Sequence, residues 1–303
     1  MSGASEPNER LRAILLFSLA FVLFTFLDAA AKWLARDYAT PQIVWARYAG
    51  HFLLAILWFL PRYGGAVWRS ANVRLQVLRS LFLFAATASN FFALRYLQLA
   101  ETSAIAFSVP LLVAALSVPL LGEHVGLRRW GAIVVGFIGV LIIARPGAGA
   151  MHWAVSFSFA MAGFAALYQI TTRKLAGQDP PQTTLIYSAL VGTVLATPLL
   201  PFVWSPVVGW LPWALMALMG VCGCVGHYLL IVAHRHAPAP ILAPFVYPQI
   251  LYMTLSGWLI FGNVPDRWVL VGAAVVIASG LFLWYRELVL GKRYRGTGVP
   301  PVR

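Results

Sequence analysis

The chain of 303 residues is 61% hydrophobic and only 10% charged, with a mean hydropathy of +0.80. Soluble domains carry about 25% charged residues, and a soluble ball of this size has too little interior to hide so much apolar surface, so the chain is predicted to be a polytopic membrane protein. Its net charge of +13 is spread through the gaps between apolar runs, which excludes a nucleic-acid footprint and reads as topology signals and contact with anionic lipid.

A membrane-crossing helix needs about 20 apolar residues, and ten such runs follow in order: 12–35, 42–60, 78–97, 101–121, 129–145, 152–172, 183–203, 211–233, 240–261 and 267–286. Turn and breaker residues separate them, among them Pro41, Pro61, Gly64-Gly65, Gly122-Glu123, Pro146-Gly147, Asp179-Pro180-Pro181, Ser205-Pro206 and Gly262-Asn263. The connections are short, so no soluble domain is expected. A membrane barrel would alternate apolar and polar residues in segments of about 10, and these runs do not. The predicted fold class is all-α. Ala29-Ala30-Ala31 behind Arg10 and Arg12 imitates a secretory signal, but the apolar stretch is too long for a signal core, and the first run is read as a retained helix. Cys222 and Cys224 stand two apart within an apolar run, on nearly opposite sides of a helix, and offer neither a disulfide nor a zinc spacing.

Ten crossings put both termini on one side. When every Lys and Arg is assigned to its nearer loop, 16 of the 22 basic residues fall on the side of the termini, Arg62, Arg69, Arg74, Arg79, Arg173 and Arg235 among them. The other six are Lys32, Arg36, Arg47, Arg95, Arg145 and Arg267. The positive-inside rule then puts both termini in the cytoplasm.

A shift of 140 residues lays Pro41-Gln42 on Pro181-Gln182, Ala93 on Ala233, Arg95 on Arg235 and Gly122 on Gly262. With a two-residue slip, Pro110 meets Pro248, and Arg129-Trp130 meets Arg267-Trp268. Shared composition does not generate such proline and glycine registers, so the chain is read as two units of five helices, 12–145 and 152–286. Five is odd, and the two copies therefore cross the membrane in opposite senses. Inverted repeats of this kind give many secondary transporters two related conformations, open to either face.

These features resemble the EamA-type branch of the drug/metabolite transporter superfamily. The resemblance rests on Ala93-Leu94-Arg95-Tyr96 through Ala104, Pro110, Leu120-Leu121-Gly122-Glu123, Trp130-Gly131, Gly136 and Gly139-Val140, with Lys32 and Arg47 at positions common in that family. It spans about 13 to 286 and departs at Gly262-Asn263, where the second half lacks the Gly-Glu of the first. It implies a ten-helix carrier whose central cavity is lined by helices one, three, four, six, eight and nine.

Ionisable groups inside a membrane are costly and deserve a functional hypothesis. At about 1.5 Å per residue, Asp28, Lys32 and Arg47 share a depth near the outer face, so Asp28 is expected to meet Arg47 across helices and Lys32 along its own. Such a cluster could gate the outer mouth or couple a proton; the plainer reading, a neutralised pair tying helices together, is preferred. Glu101 and Glu123 are expected at solvated span ends. Pro110 and Pro248 both lie near mid-membrane, where a proline removes a backbone hydrogen bond and is tolerated only beside protein or a wet cavity. Matched interruptions in two repeats point to a transport site. Polar and aromatic residues at similar depth complete the candidate substrate-binding set: Thr87, Ser89, Asn90, Ser108, Tyr168, His227, Tyr228, Tyr247, Gln249 and Tyr252.

An embedded lipid-modifying enzyme would need convergent catalytic groups, and the nine acidic residues are scattered without a metal box or nucleophile motif. His234-Arg235-His236 reads as a topology signal. A channel would need a ring of one charge or a filter. A cavity of aromatics, hydroxyls and amides suits a small neutral or zwitterionic metabolite, with no cofactor. The expected function is export of amino acids, aromatic or neutral, across a bacterial inner membrane by a monomer; a drug or sugar-type carrier is the alternative. Gly220, Gly223 and Gly226 are expected to permit close helix approach.

Overall fold

The computed structural model describes residues 7–122, 126–145, 152–175, 178–237 and 242–297. Among these it is helical throughout: α1 (Pro7–Leu34), α2 (Thr40–Tyr63), α3 (Val73–Leu94), α4 (Leu99–Ala106), α5 (Val109–Leu121), α6 (Leu127–Ala144), α7 (Val155–Leu175), α8 (Pro181–Ala196), α9 (Leu200–Val203), α10 (Trp210–His236), α11 (Gln249–Phe261) and α12 (Arg267–Thr297). Eight of the described spans are long and apolar enough to cross a membrane, α4 with α5 counting as one, and two shorter apolar helices, Trp130–Ala144 and Gln249–Phe261, complete the ten expected runs.

The fourth and ninth runs are interrupted. α4 stops at Ala106 and α5 begins at Val109, with Pro110 in its first turn. Likewise Ala243–Val246 forms a 3-10 turn and Pro248 caps the start of α11. Both prolines therefore occupy helix starts, where the missing N–H is not needed and the fixed φ suits the first turn. The interruptions expected at the two prolines are present, each proline serving as a helix start. The seventh run also ends early, in a 3-10 turn at Thr197–Leu199 followed by α9.

Helices of the first half lie on helices of the second, and the pairing is reciprocal. α1 packs on α10 and α3 on α7, while α2 packs on α8, α4 on α11 and α6 on α12. Exchanging the first and sixth spans, the third and eighth, and so on through the chain leaves this set unchanged, as a duplicated unit demands. The ends of the interrupted runs agree in detail. Gly122 and Gly262 both adopt the left-handed conformation, at φ 69° and 66°, and cap their helices through carbonyls 140 residues apart, Ser117 and Val118 against Gly257 and Trp258. Only glycine reaches that conformation freely.

Small residues set the closest approaches. A Cβ placed on Gly220 would stand 2.8 Å from the Cα of Gly50, so α2 and α10 meet backbone to backbone. A Cβ on Gly139 would stand 2.9 Å from the carbonyl oxygen of Gly272, which fixes α6 against α12 as a scaffold pair. Ser279 reinforces it by donating to the Ala132 carbonyl. Tryptophans 210, 213 and 268 stay exposed at span ends, where aromatic belts sit.

Candidate functional site

α1, α2, α3 and α10 turn their polar residues toward one another. The acidic group here is Asp28 on α1, half-buried, whose Oδ1 accepts a hydrogen bond from Asn90 Nδ2 at 3.0 Å. The basic group is Arg47 on α2, buried, whose Nη2 lies 3.1 Å from Nε2 of His227 on α10. Its guanidinium carbon sits 4.2 Å above the ring of Tyr48. Tyr48 in turn donates to Thr87 on α3 at 3.0 Å. His51, one turn further along α2, stacks on His227 with centroids 6.1 Å apart, and Phe24 covers the other ring neighbour at 4.9 Å. Arginine only donates, so His227 Nε2 must accept, and its proton resides on Nδ1.

The expected ion pairs of Asp28 are corrected by this geometry. Asp28 engages Asn90, Arg47 engages His227 and Tyr48, and Lys32 donates to the carbonyls of Leu94 and Leu97 at 2.9 and 2.6 Å. Depth along a helix is legible from residue counting, but rotation about its axis decides the partner. Lys32 instead clamps the end of α3, where carbonyls lack helical partners, and lies over the ring of Phe261.

The interrupted helices meet beside this group. Ser108 donates to the Ile105 carbonyl at 2.7 Å across the first break. Phe107 and Tyr247, each directly at a break, pack edge to face with centroids 5.4 Å apart. Tyr247 and Gln249 are buried, while Pro110, Pro248, Ser89 and Tyr252 are half-buried. Tyr228 is corrected: it is 38% exposed and packs on Phe59 on the outer side of α10. One residue turns a helix by about 100°, so His227 inside puts Tyr228 outside.

Residue counting places Arg79 at a basic loop, but it is 1% exposed inside the bundle. Its Nε donates to Thr172 at 2.7 Å, Nη1 to Ser188 at 2.8 Å and Nη2 to Tyr168 at 2.7 Å, with the Tyr168 ring 4.6 Å from its guanidinium carbon. Tyr168 thus belongs to this cluster and not to the one around Arg47. Arg79 binds α3 of the first repeat to α7 and α8 of the second. Just beyond it, Asp179 accepts from Ser70 Oγ, the Ala71 N–H and Gln76 Nε2 at 2.5, 2.7 and 2.8 Å. Burial opposes ionisation there, but those three hydrogen bonds outweigh it and hold the carboxyl below its ordinary value of 3.8. Together these contacts close the face that carries the start of α1. At the opposite face, Gln42 exchanges two hydrogen bonds of 2.9 Å with the Ser205 backbone, and Arg145 pairs with Asp266 at 2.7 Å. Glu101 is more than a solvated end: it accepts from the Gln98 N–H at 2.8 Å and caps α4. Glu123 lies outside the described residues.

Sequence reasoning missed Arg79, Tyr48 and His51. A signal was available for His51, which stands one turn from Arg47 on the same face of α2 at i+4 spacing, whereas Tyr48 lies about 100° round the helix. Arg79 carried none: its partners are uncharged hydroxyls about a hundred residues away in sequence.

Comparison with known proteins agrees with this architecture. The profile described as "EamA-like transporter family" matches residues 11–145 and again 152–285. The chain is 27% identical to an S-adenosylmethionine uptake transporter of Rickettsia bellii, over 89% of this chain and 92% of that one. It is 27% identical to a riboflavin transporter of Rhizobium johnstonii, over 95% of each, and 26% identical to a pseudopaline exporter of Pseudomonas aeruginosa, over 89% and 95%. A solved crystal structure shares the fold with a TM-score of 0.63 at 20% identity, across 89% of this chain and 96% of that one.

Proposed function

The chain belongs to the EamA-like transporter family, and on that footing we propose that it carries amino acids, aromatic or neutral, out of the cell across the bacterial inner membrane. It is a multi-pass membrane transporter of small metabolites and not an enzyme. The finer reading is carried by one observation: Asp28 and Arg47 stand in the same polar interior, each bonded to neutral partners instead of to the other. Opposite charges that share one interior without being hydrogen-bonded to each other suit a cargo bearing both signs. The interrupted helices touching at Phe107 and Tyr247 supply the place where two repeats can rock around a central site. The breaks with Ser108, Pro110, Tyr247, Pro248, Gln249 and Tyr252 then frame the cargo, with Thr87, Ser89, Asn90 and His227 facing it.

Uptake and export are both represented among the relatives, so the fold serves either direction. A carrier with no separate energy source follows its cargo's gradient, which for amino acids made inside the cell runs outward. The excess of basic residues on the side of the termini, 15 against six once the interior Arg79 is set aside, supports cytoplasmic termini, so the face closed by Arg79 and Asp179 is the cytoplasmic one. S-adenosylmethionine itself contains an amino-acid head, and its carrier's likeness to this chain fits the same chemistry. The test is reconstitution into liposomes with a panel of labelled amino acids, riboflavin, S-adenosylmethionine and sugars. Saturable flux of one or more neutral amino acids, with sugars excluded, is expected; flux confined to the other compounds would overturn the amino-acid reading.

A further inference from the structure

Four buried polar atoms without a hydrogen-bond partner among the described residues cluster where α2 faces α1 and α10: Arg47 Nε and Nη1, and His51 Nδ1 and Nε2. Arg47 is 3% exposed and His51 fully buried, so water does not serve them through the surface. The Arg47 guanidinium is held firmly, by His227 through Nη2 and by the face of Tyr48, which fixes where its remaining N–H groups point. Both side chains border Gly223. A Cβ placed on that glycine would stand 3.8 Å from Arg47 Nε, 3.8 Å from His51 Nδ1 and 3.6 Å from Leu27 Cδ1. The two unpartnered groups thus stand side by side over the backbone of α10 at Gly223.

A buried cation with two nitrogens lacking acceptors is expensive to keep. Its direct partners here, His227 and the Tyr48 ring, are neutral, and the Asp28 carboxylate acts on it at longer range, with Oδ1 committed to Asn90. The chemistry that completes the set is a small planar anion. It would accept from the guanidinium and from a His51 N–H together. Building on the proposed amino-acid cargo, we infer that Arg47, His51 and Gly223 form the subsite that takes the substrate's carboxylate. The ammonium end then falls to Asp28, the half-buried acid of the same interior. Arg47 is thereby a binding residue and not a helix-tying counter-ion.

The test separates the carboxylate from the rest of the cargo. Purified protein is titrated calorimetrically with 3-phenylpropionate, which keeps a carboxylate on an apolar tail, and with 3-phenylpropionamide, its neutral counterpart. The acid is expected to bind at least tenfold tighter than the amide. Arg47→Gln should erase that preference with the melting temperature checked in parallel. Gly223→Ala meets only ordinary contacts, so it should keep the fold, weaken the acid at least threefold and leave the amide unchanged. Equal binding of acid and amide by the unaltered protein, binding of neither, or a preference that survives both substitutions overturns the subsite. Absence of amino-acid flux in liposomes with the acid preference intact would count against the cargo reading alone.

Discussion

Phe107 and Tyr247, 140 residues apart, stand edge to face at 74° between the two interrupted helices. That spacing is the shift that relates α5 to α11 and Gly122 to Gly262, so the contact joins equivalent positions of the two halves, while Pro110 and Pro248 stand two residues out of that register. Gly280 leaves room for the Tyr247 hydroxyl, and α12, part of the scaffold pair, thus backs the contact.

The prolines beside that contact should behave as start signals. A proline in a helix interior costs about 3 kcal/mol, but Pro110 and Pro248 occupy first-turn or capping positions. Pro110→Ala and Pro248→Ala should therefore leave stability within about 1 kcal/mol of the parent. Flux should nonetheless fall severalfold, because an alanine lets the helix extend through the break. Detergent melting and liposome flux together check this, and a loss of melting temperature matching a loss of flux would show the prolines to be packing residues.

Arg79 provides a second prediction. Arg79→Gln removes hydrogen bonds to Thr172, Ser188 and Tyr168, whose hydroxyls can turn to backbone acceptors one turn back, as Thr172 and Ser188 already do. The loss should fall on closure of that face more than on folding. A cysteine at Ser188, labelled with a water-soluble maleimide, should react several times faster in the Arg79→Gln background. Unchanged labelling would reduce Arg79 to a static tie.

A substitution at the α2–α10 crossing should be costly where one at Gly131 is not. Gly220→Ala puts a Cβ 2.8 Å from the Gly50 Cα, forcing two backbones apart at a cost of about 1–3 kcal/mol. Gly131→Ala meets nothing within 4 Å and should be neutral or stabilising by up to about 1 kcal/mol. Thermal unfolding of the pair, side by side, is the check. The first variant should also weaken the Arg47–His227 contact, which lies two turns along the same crossing.

Helix number, the duplicated unit and the two break points were legible in the sequence, because apolar length, glycine and proline report directly on backbone needs. Asp28 and Arg47 were found by cost alone, as charges in an apolar run. Their partners were not, since Asn90, His227 and Tyr48 are chosen by how each helix rotates. Arg79 was hidden for another reason: a basic residue in the second turn of a span resembles a topology signal, and only the packing of α7 and α8 reveals it as interior.

Acid should loosen the face closed by Asp179. Its carboxyl is held below its ordinary value, so the stabilisation it brings is fully present above the unfolded value of 3.8 and is lost as pH falls through the depressed folded value. Labelling at the Ser188 cysteine should accelerate as pH drops below about 4, using a reagent whose own rate is corrected for thiol ionisation. Asp179→Asn should flatten that dependence.

The most direct measurement locks that same face. Ser70 and Asp179 touch across the repeats at 2.5 Å, so cysteines at both positions, with Cys222 and Cys224 replaced by alanine, can be joined by oxidation. Flux of a labelled amino-acid mixture into liposomes would be followed before oxidation, after it, and after reduction. If the repeats must part at this face to pass cargo, flux is present, then stops, then returns on reduction. Full flux with the crosslink intact would contradict alternating access between the two repeats.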